Sequence, residues 1–179
     1  WLPVDPAGRI RPETLEAAIA RDPGAVALVT VMWANNEVGT VQPVAELAAI
    51  ARSYDVPIHS DAVQALGQLP VDFAASGLDA MTVTSHKIGG PLGVGALVLG
   101  RAVELTPVLH GGGQERDVRS GTLDVAAIVG LAVAATVSVG NRAERAPRLT
   151  ALRDRLVAGV VAEVPDVQLN GPPLDDVLA

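Results

Sequence analysis

Leu78-Asp79-Ala80-Met81-Thr82-Val83-Thr84-Ser85-His86-Lys87-Ile88-Gly89-Gly90-Pro91 is the stretch on which the fold of this chain turns. Its first seven residues are mostly apolar or β-branched, the composition of a strand. A polar cluster follows at once, and glycine and proline then stop any regular element. Lys87 is the single lysine of the chain, against twelve arginines. Arginine stays charged, whereas a desolvated lysine amine can lose its proton and act as a nucleophile or Schiff-base partner. A lone lysine directly after a strand therefore points to amine chemistry. Taken alone it is also what a composition rich in Ala, Val, Arg and Gly leaves by chance, so its neighbours decide.

Outward from this stretch the same grammar recurs. Pro12 opens a helix with Leu15, Ala18 and Ile19 on one face, closed by Asp22-Pro23-Gly24. Ala25 to Trp33 is a continuous valine-rich run that predicts a strand buried on both faces, and Asn35-Asn36-Glu37-Val38-Gly39 a loop. Pro43 opens a helix with Val44, Leu47, Ala48 and Ala51 inward. Val56 to His59 is a short strand delivering Ser60-Asp61, and Gly95 to Leu99 another. His110-Gly111-Gly112-Gly113 begins a polar loop to Gly121. From Leu123 the chain reads as helix, broken near Pro147 and resumed to about Glu163, with a strand starting over Asp166 to Asn170. Strand, loop, helix and strand in repetition predict an α/β fold with a largely parallel sheet.

Composition narrows the function. A net charge of −7 leaves no basic stripe for nucleic acid. The absence of cysteine excludes disulfides, thiolate metal sites and an internal cysteine nucleophile. No metal site is read. No apolar run reaches 18 residues, so no membrane partner is expected, and no secretory leader is read at the start. Only four residues are aromatic, so the apolar mass is Ala, Val and Leu, suited to helices packed closely on a sheet. The chain opens on Trp1-Leu2-Pro3 and stops at Leu178-Ala179 without a structural close, and reads like the middle of a longer, cytoplasmic enzyme.

In open α/β sheets ligands gather beyond the carboxyl ends of the strands, and Asn36, Asp61 and His86-Lys87 all follow expected strands. A lysine Schiff base to pyridoxal phosphate needs a carboxylate at the pyridine nitrogen and donors for the phosphate. Asp61 can be that carboxylate, and Gln64 reaches the phenolic oxygen if Asp61 starts a helical turn. Thr84 and His86 can donate to phosphate, while glycines 89, 90, 93 and 95 let backbone approach a bulky ligand. Each residue has a plainer use. An aspartate after a strand commonly caps a helix, Gln64 suits a solvated helix face, and Asn35-Asn36 is a turn pair. His59 carries no functional argument and is read as structural.

The joint pattern resembles the cysteine desulfurase branch of the class V aminotransferases, which are pyridoxal-phosphate enzymes. The matching runs are Asn35-Asn36-Glu37-Val38-Gly39, Ser60-Asp61-Ala62-Val63-Gln64, Ser85-His86-Lys87, and His110-Gly111-Gly112-Gly113-Gln114-Glu115 leading to Arg119-Ser120-Gly121-Thr122. They agree in order and spacing over roughly residues 25 to 130. The triple-glycine loop running into Arg-Ser-Gly-Thr is the most specific of them. The resemblance implies a fold-type I large domain, truncated at both ends, with residues 1–146 its central part and 147–179 a connecting helix and the start of a small domain. It implies that Lys87 holds the cofactor and shuttles the substrate α-proton. Asp61 pairs with the pyridine nitrogen, Gln64 with the phenolic oxygen, and Asn36 lies by the cofactor and places substrate. Thr84, where the family commonly has serine, and His86 bind phosphate. Thr122 reaches the phosphate in the other subunit of a homodimer.

The implied reaction converts L-cysteine to L-alanine and passes sulfur to an enzyme thiol as persulfide, usually for iron–sulfur cluster assembly through a scaffold or other acceptor. The acceptor cysteine and a carboxylate-binding arginine are expected downstream of Ala179. A ring-stacking histidine and a phosphate-binding threonine are expected upstream of Trp1. Selenocysteine lyase or another class V lyase is the alternative enzyme. A catalytically incompetent dimerisation or scaffold fragment is the alternative outside enzymes.

Overall fold

The computed structural model describes residues 1–178, which build on one four-stranded sheet. Its strands are β1 (Val29–Met32), β2 (Ile58–Asp61), β3 (Ala80–Thr84) and β4 (Gly95–Leu99), in the order β1-β2-β3-β4. The first three run parallel and β4 returns antiparallel to β3. The helices are α1 (Pro12–Ala20), α2 (Val44–Ser53), the short α3 (Phe73–Ser76), α4 (Val125–Gly140) and α5 (Arg142–Glu163). This is the mostly parallel, helix-flanked α/β sheet that the alternation of patterns predicts.

The core lies between one sheet face and the α1–α2 pair. Leu15 and Ile19 of α1 and Leu47, Ala48 and Ala51 of α2 are buried against Val29, Val31, Ile58 and Met81. Side chains alternate across a strand, so the other face carries Thr30, Met32, His59, Asp61, Thr82 and Leu97. Met32 and Leu97 on that face are exposed.

Four expectations need correction. The run Ala25 to Trp33 is not one doubly buried strand. Pro23–Ala25 form a 3₁₀ turn, β1 starts only where Val29 N–H bonds to Pro57 O, and its burial alternates because one sheet face is uncovered among the described residues. The long helical stretch breaks at Gly140-Asn141 with a 69° bend, not at Pro147, which lies inside α5. Asn141 leaves helical geometry (φ −91°, ψ 1°) and serves as both C-cap of α4 and N-cap of α5. Residues 166–170 form no strand; the chain there is exposed. It pairs later instead, through the Thr40–Val177 bridge and Leu178 N–H to Gly39 O at 3.0 Å. Finally, β2 runs on to Asp61 rather than ending at His59, and the helical turn that Asp61 opens is a single one, with Leu66 N–H bonded to Ala62 O at 3.0 Å.

Candidate active site

The parallel register brings three strand ends to one edge. Met32 pairs with Asp61 and Asp61 with Thr82, so β1 and β2 end level and β3 runs two residues further, into the lysine turn.

After β1, Asn35 shapes the loop. Its Oδ1 accepts from Glu37 N–H and Val38 N–H (2.8 and 2.9 Å), and its own N–H donates to Thr40 O. The turn-pair reading is thus true of Asn35, and Asn36 is left exposed with its amide free of hydrogen bonds to the described residues. After β2, Asp61 Oδ1 accepts from Val63 N–H at 2.9 Å, while Oδ2 has no hydrogen-bond partner among the described residues. The carboxylate therefore caps the turn with one oxygen and keeps the other. Gln64 follows in that turn. Its Oε1 is sealed from solvent and has no partner among the described residues. Buried polar atoms are nearly always hydrogen-bonded, so the orphaned amide oxygen marks a missing neighbour.

After β3, His86–Ile88 form a 3₁₀ turn stopped by Gly89 at φ +83°. Thr84 Oγ1 and His86 Nδ1 are 3.0 Å apart, forming one polar pair beside the exposed Lys87. Two of the glycines serve the fold rather than a ligand. A Cβ on Gly90 would strike Ser85 Oγ and come within 2.9 Å of Ala134 Cβ, and one on Gly95 would come within 2.7 Å of Val83 O. Helix α4 thus crosses close over the lysine turn, with Gly130 against Pro91.

The polar loop closes on itself. Ser120 N–H bonds to Leu109 O, Gly113 N–H to Ser120 Oγ, and Gly121 N–H to Gln114 Oε1 (3.3, 3.3 and 2.9 Å). It is the loop that the sequence predicts, tied across its base by these bonds. Thr122 follows it, exposed, with no hydrogen bond from its hydroxyl to the described residues. A cavity of about 720 Å³ lies between β4, this loop and α4, lined by Leu97, Val118, Ile128 and Leu131, and does not include Lys87.

Asn36, Asp61, Gln64, Thr84, His86 and Lys87 therefore share one sheet edge, and Thr122 stands apart on the loop before α4. Amine, carboxylate with a free oxygen, orphaned amide and a hydroxyl–imidazole pair make a donor set that fits pyridoxal phosphate. His59, read from the sequence as structural, also lies on the sheet face that carries Asp61. Its Nδ1 lies 2.8 Å from Thr30 Oγ1 and its Nε2 lies 3.3 Å from Thr82 Oγ1, a bridge over three strands. The signal available was its place two residues before Asp61 on the same strand face.

Fold and site define a class. The chain belongs to the class V aminotransferase family, whose model (Aminotransferase class-V) matches residues 1–177. More particularly, it is similar to the IscS-like cysteine desulfurase of Mycobacterium tuberculosis, with 57% identity over 171 residues, 96% of this chain and 43% of that protein. The solved structure of DndA from Streptomyces lividans matches with a TM-score of 0.85 at 41% identity, over 97% of this chain and 48% of that one. SspA in complex with cysteine matches with a TM-score of 0.68 at 40% identity, over 73% of this chain and 38% of that one. The chain spans less than half the length of these relatives.

Proposed function

We propose that these residues are part of a pyridoxal-phosphate-dependent cysteine desulfurase that converts L-cysteine to L-alanine and transfers the sulfur to an enzyme thiol. The observation that carries this reading is the meeting of Asp61, Gln64 and the Thr84–His86–Lys87 turn at one edge of a class V sheet. The similar desulfurases, and a structural relative in complex with cysteine, support the substrate.

When bound, pyridoxal phosphate supplies an electron sink for chemistry at the substrate α-carbon. Lys87 Nζ would hold it covalently and would carry the substrate α-proton. Asp61, with one carboxylate oxygen free, would keep a proton on the pyridine nitrogen. The Gln64 amide N–H would donate to the phenolic oxygen, Thr84 and His86 would donate to phosphate, and Asn36 would help to place cysteine. Thr122 would serve the phosphate of a partner subunit in a homodimer. No cysteine occurs among the 179 residues, so the accepting thiol belongs to the rest of the enzyme. From there the sulfur passes to an iron–sulfur scaffold or another acceptor in the cytoplasm. Residues 1–146 form the central part of the large domain, and 147–179 connect to a small one.

The test is borohydride reduction of the full-length protein loaded with pyridoxal phosphate, followed by peptide mapping. The adduct is expected on Lys87; an adduct elsewhere overturns the reading. The absent thiol favours a second reading for the 179 residues alone, a scaffold or dimerisation piece without turnover. Robust sulfide release from cysteine and reductant by this piece would exclude that second reading. Comparing cysteine with selenocysteine as substrate of the full-length protein separates a desulfurase from a selenocysteine lyase.

A further inference from the structure

We infer that His59 is a positioning residue for the cofactor-binding edge, an inference that rests on the functional reading above. Its ring spans the sheet: Nδ1 meets Thr30 Oγ1 of β1 at 2.8 Å, and Nε2 meets Thr82 Oγ1 of β3 at 3.3 Å. One half-buried side chain thereby ties together the three parallel strands whose ends deliver Asn36, Asp61 and Lys87. The register places this bridge close to the chemistry. Thr30 pairs with His59 itself, whereas Thr82 pairs with Asp61 and therefore stands beside the carboxylate on the same sheet face.

Core packing does not reach the side chains of this face. The buried contacts of the three strands lie on the opposite face, through Val29, Val31, Ile58 and Met81. On the face that carries Asp61, the bonds of His59 are the only side-chain hydrogen bonds joining β1, β2 and β3 to one another among the described residues. The backbone ladder sets the spacing and register of the strands, and a directional bond at each ring nitrogen adds a side-chain tie between them on this face. Small errors in placing a catalytic group are costly, and sites hold their geometry through such supporting bonds.

The experiment is a pyridoxal phosphate titration of the apo form of the full-length protein, read by visible absorption and circular dichroism of the bound cofactor. The melting temperature of the apo protein is recorded beside it. His59→Leu removes both bonds, and His59→Gln keeps one polar arm toward Thr82. The expected result is at least tenfold weaker cofactor binding with an altered visible spectrum in His59→Leu, and partial recovery in His59→Gln. Thr30→Val and Thr82→Val weaken binding in the same direction, and they replace the histidine variants if His59→Leu does not fold. Unchanged affinity and spectrum in His59→Leu, or in both threonine variants, would overturn the inference whatever happens to the melting temperature. If the wild-type protein does not take up the cofactor on Lys87, the functional reading itself fails. If it does and the variants match it, only the role of His59 fails.

Discussion

At the scale of single residues, the lysine turn is packed tightly on one side only, at Gly90. Gly90 lies against Ser85 Oγ and Ala134, so Gly90→Ala forces Ser85 or α4 to move. Overpacking of this kind costs ~1–3 kcal/mol. Denaturant titration should show that loss, and Ser85→Ala in the same chain should recover part of it, because the nearest obstacle is then gone. Additive effects of the two substitutions would contradict the close approach. Lys87 is exposed, so Lys87→Ala should leave stability within about 0.5 kcal/mol. The same substitution should abolish the borohydride-fixed adduct. Loss of folding with loss of the adduct would show that the lysine is structural.

At the scale of elements, stability concentrates where α1 and α2 meet the sheet. Leu47 is fully buried in that layer, and Leu47→Ala should cost ~2–5 kcal/mol in chemical denaturation. Helix α4 depends on its cap instead. Asp124 accepts from Ala127 N–H at 3.0 Å, and with only Ser138 buried on this helix little packing compensates for its loss. Asp124→Ala should lower stability by ~1 kcal/mol, and hydrogen exchange should show the first turn of α4 opening faster. Equal protection in both proteins would mean that the cap carries no weight. Element boundaries also show what periodicity misses. Pro147 drew attention as the obvious breaker, yet the bend is at Gly140-Asn141, because a residue leaving helical geometry ends a hydrogen-bond ladder as surely as a missing N–H does.

At the scale of the whole molecule, apolar surface is unevenly covered. Val125, Val129, Val133 and Val137 recur every four residues along α4, and all are more than half exposed. Leu97 and Met32 add to the open sheet face. Soluble monomers rarely leave contiguous patches of this kind uncovered. The 179 residues expressed alone should therefore bind a hydrophobic dye and self-associate, and Val129→Glu with Val133→Glu should reduce both. Sedimentation as a monomer without dye binding would contradict this. Among the described residues, no single helix is long and apolar enough to cross a membrane.

The sequence by itself determined the alternation of strands and helices, the bounds of β4 and the order of Asn36, Asp61, Gln64, Thr84, His86 and Lys87. Each of these depends on local signals: β-branched runs, helix-opening prolines, and polar clusters directly after apolar ones. Tertiary structure decided what local signals cannot carry. The burial of β1 on one face only depends on what packs against the sheet, so a valine-rich run looked doubly buried when it is not. The division of labour between Asn35 and Asn36 depends on which amide faces the loop backbone. His59 owes its role to strand register, which sets Thr30 beside its ring and Thr82 diagonally across from it. Such neighbours lie 29 and 23 residues away in the chain, and only the folded sheet makes them adjacent.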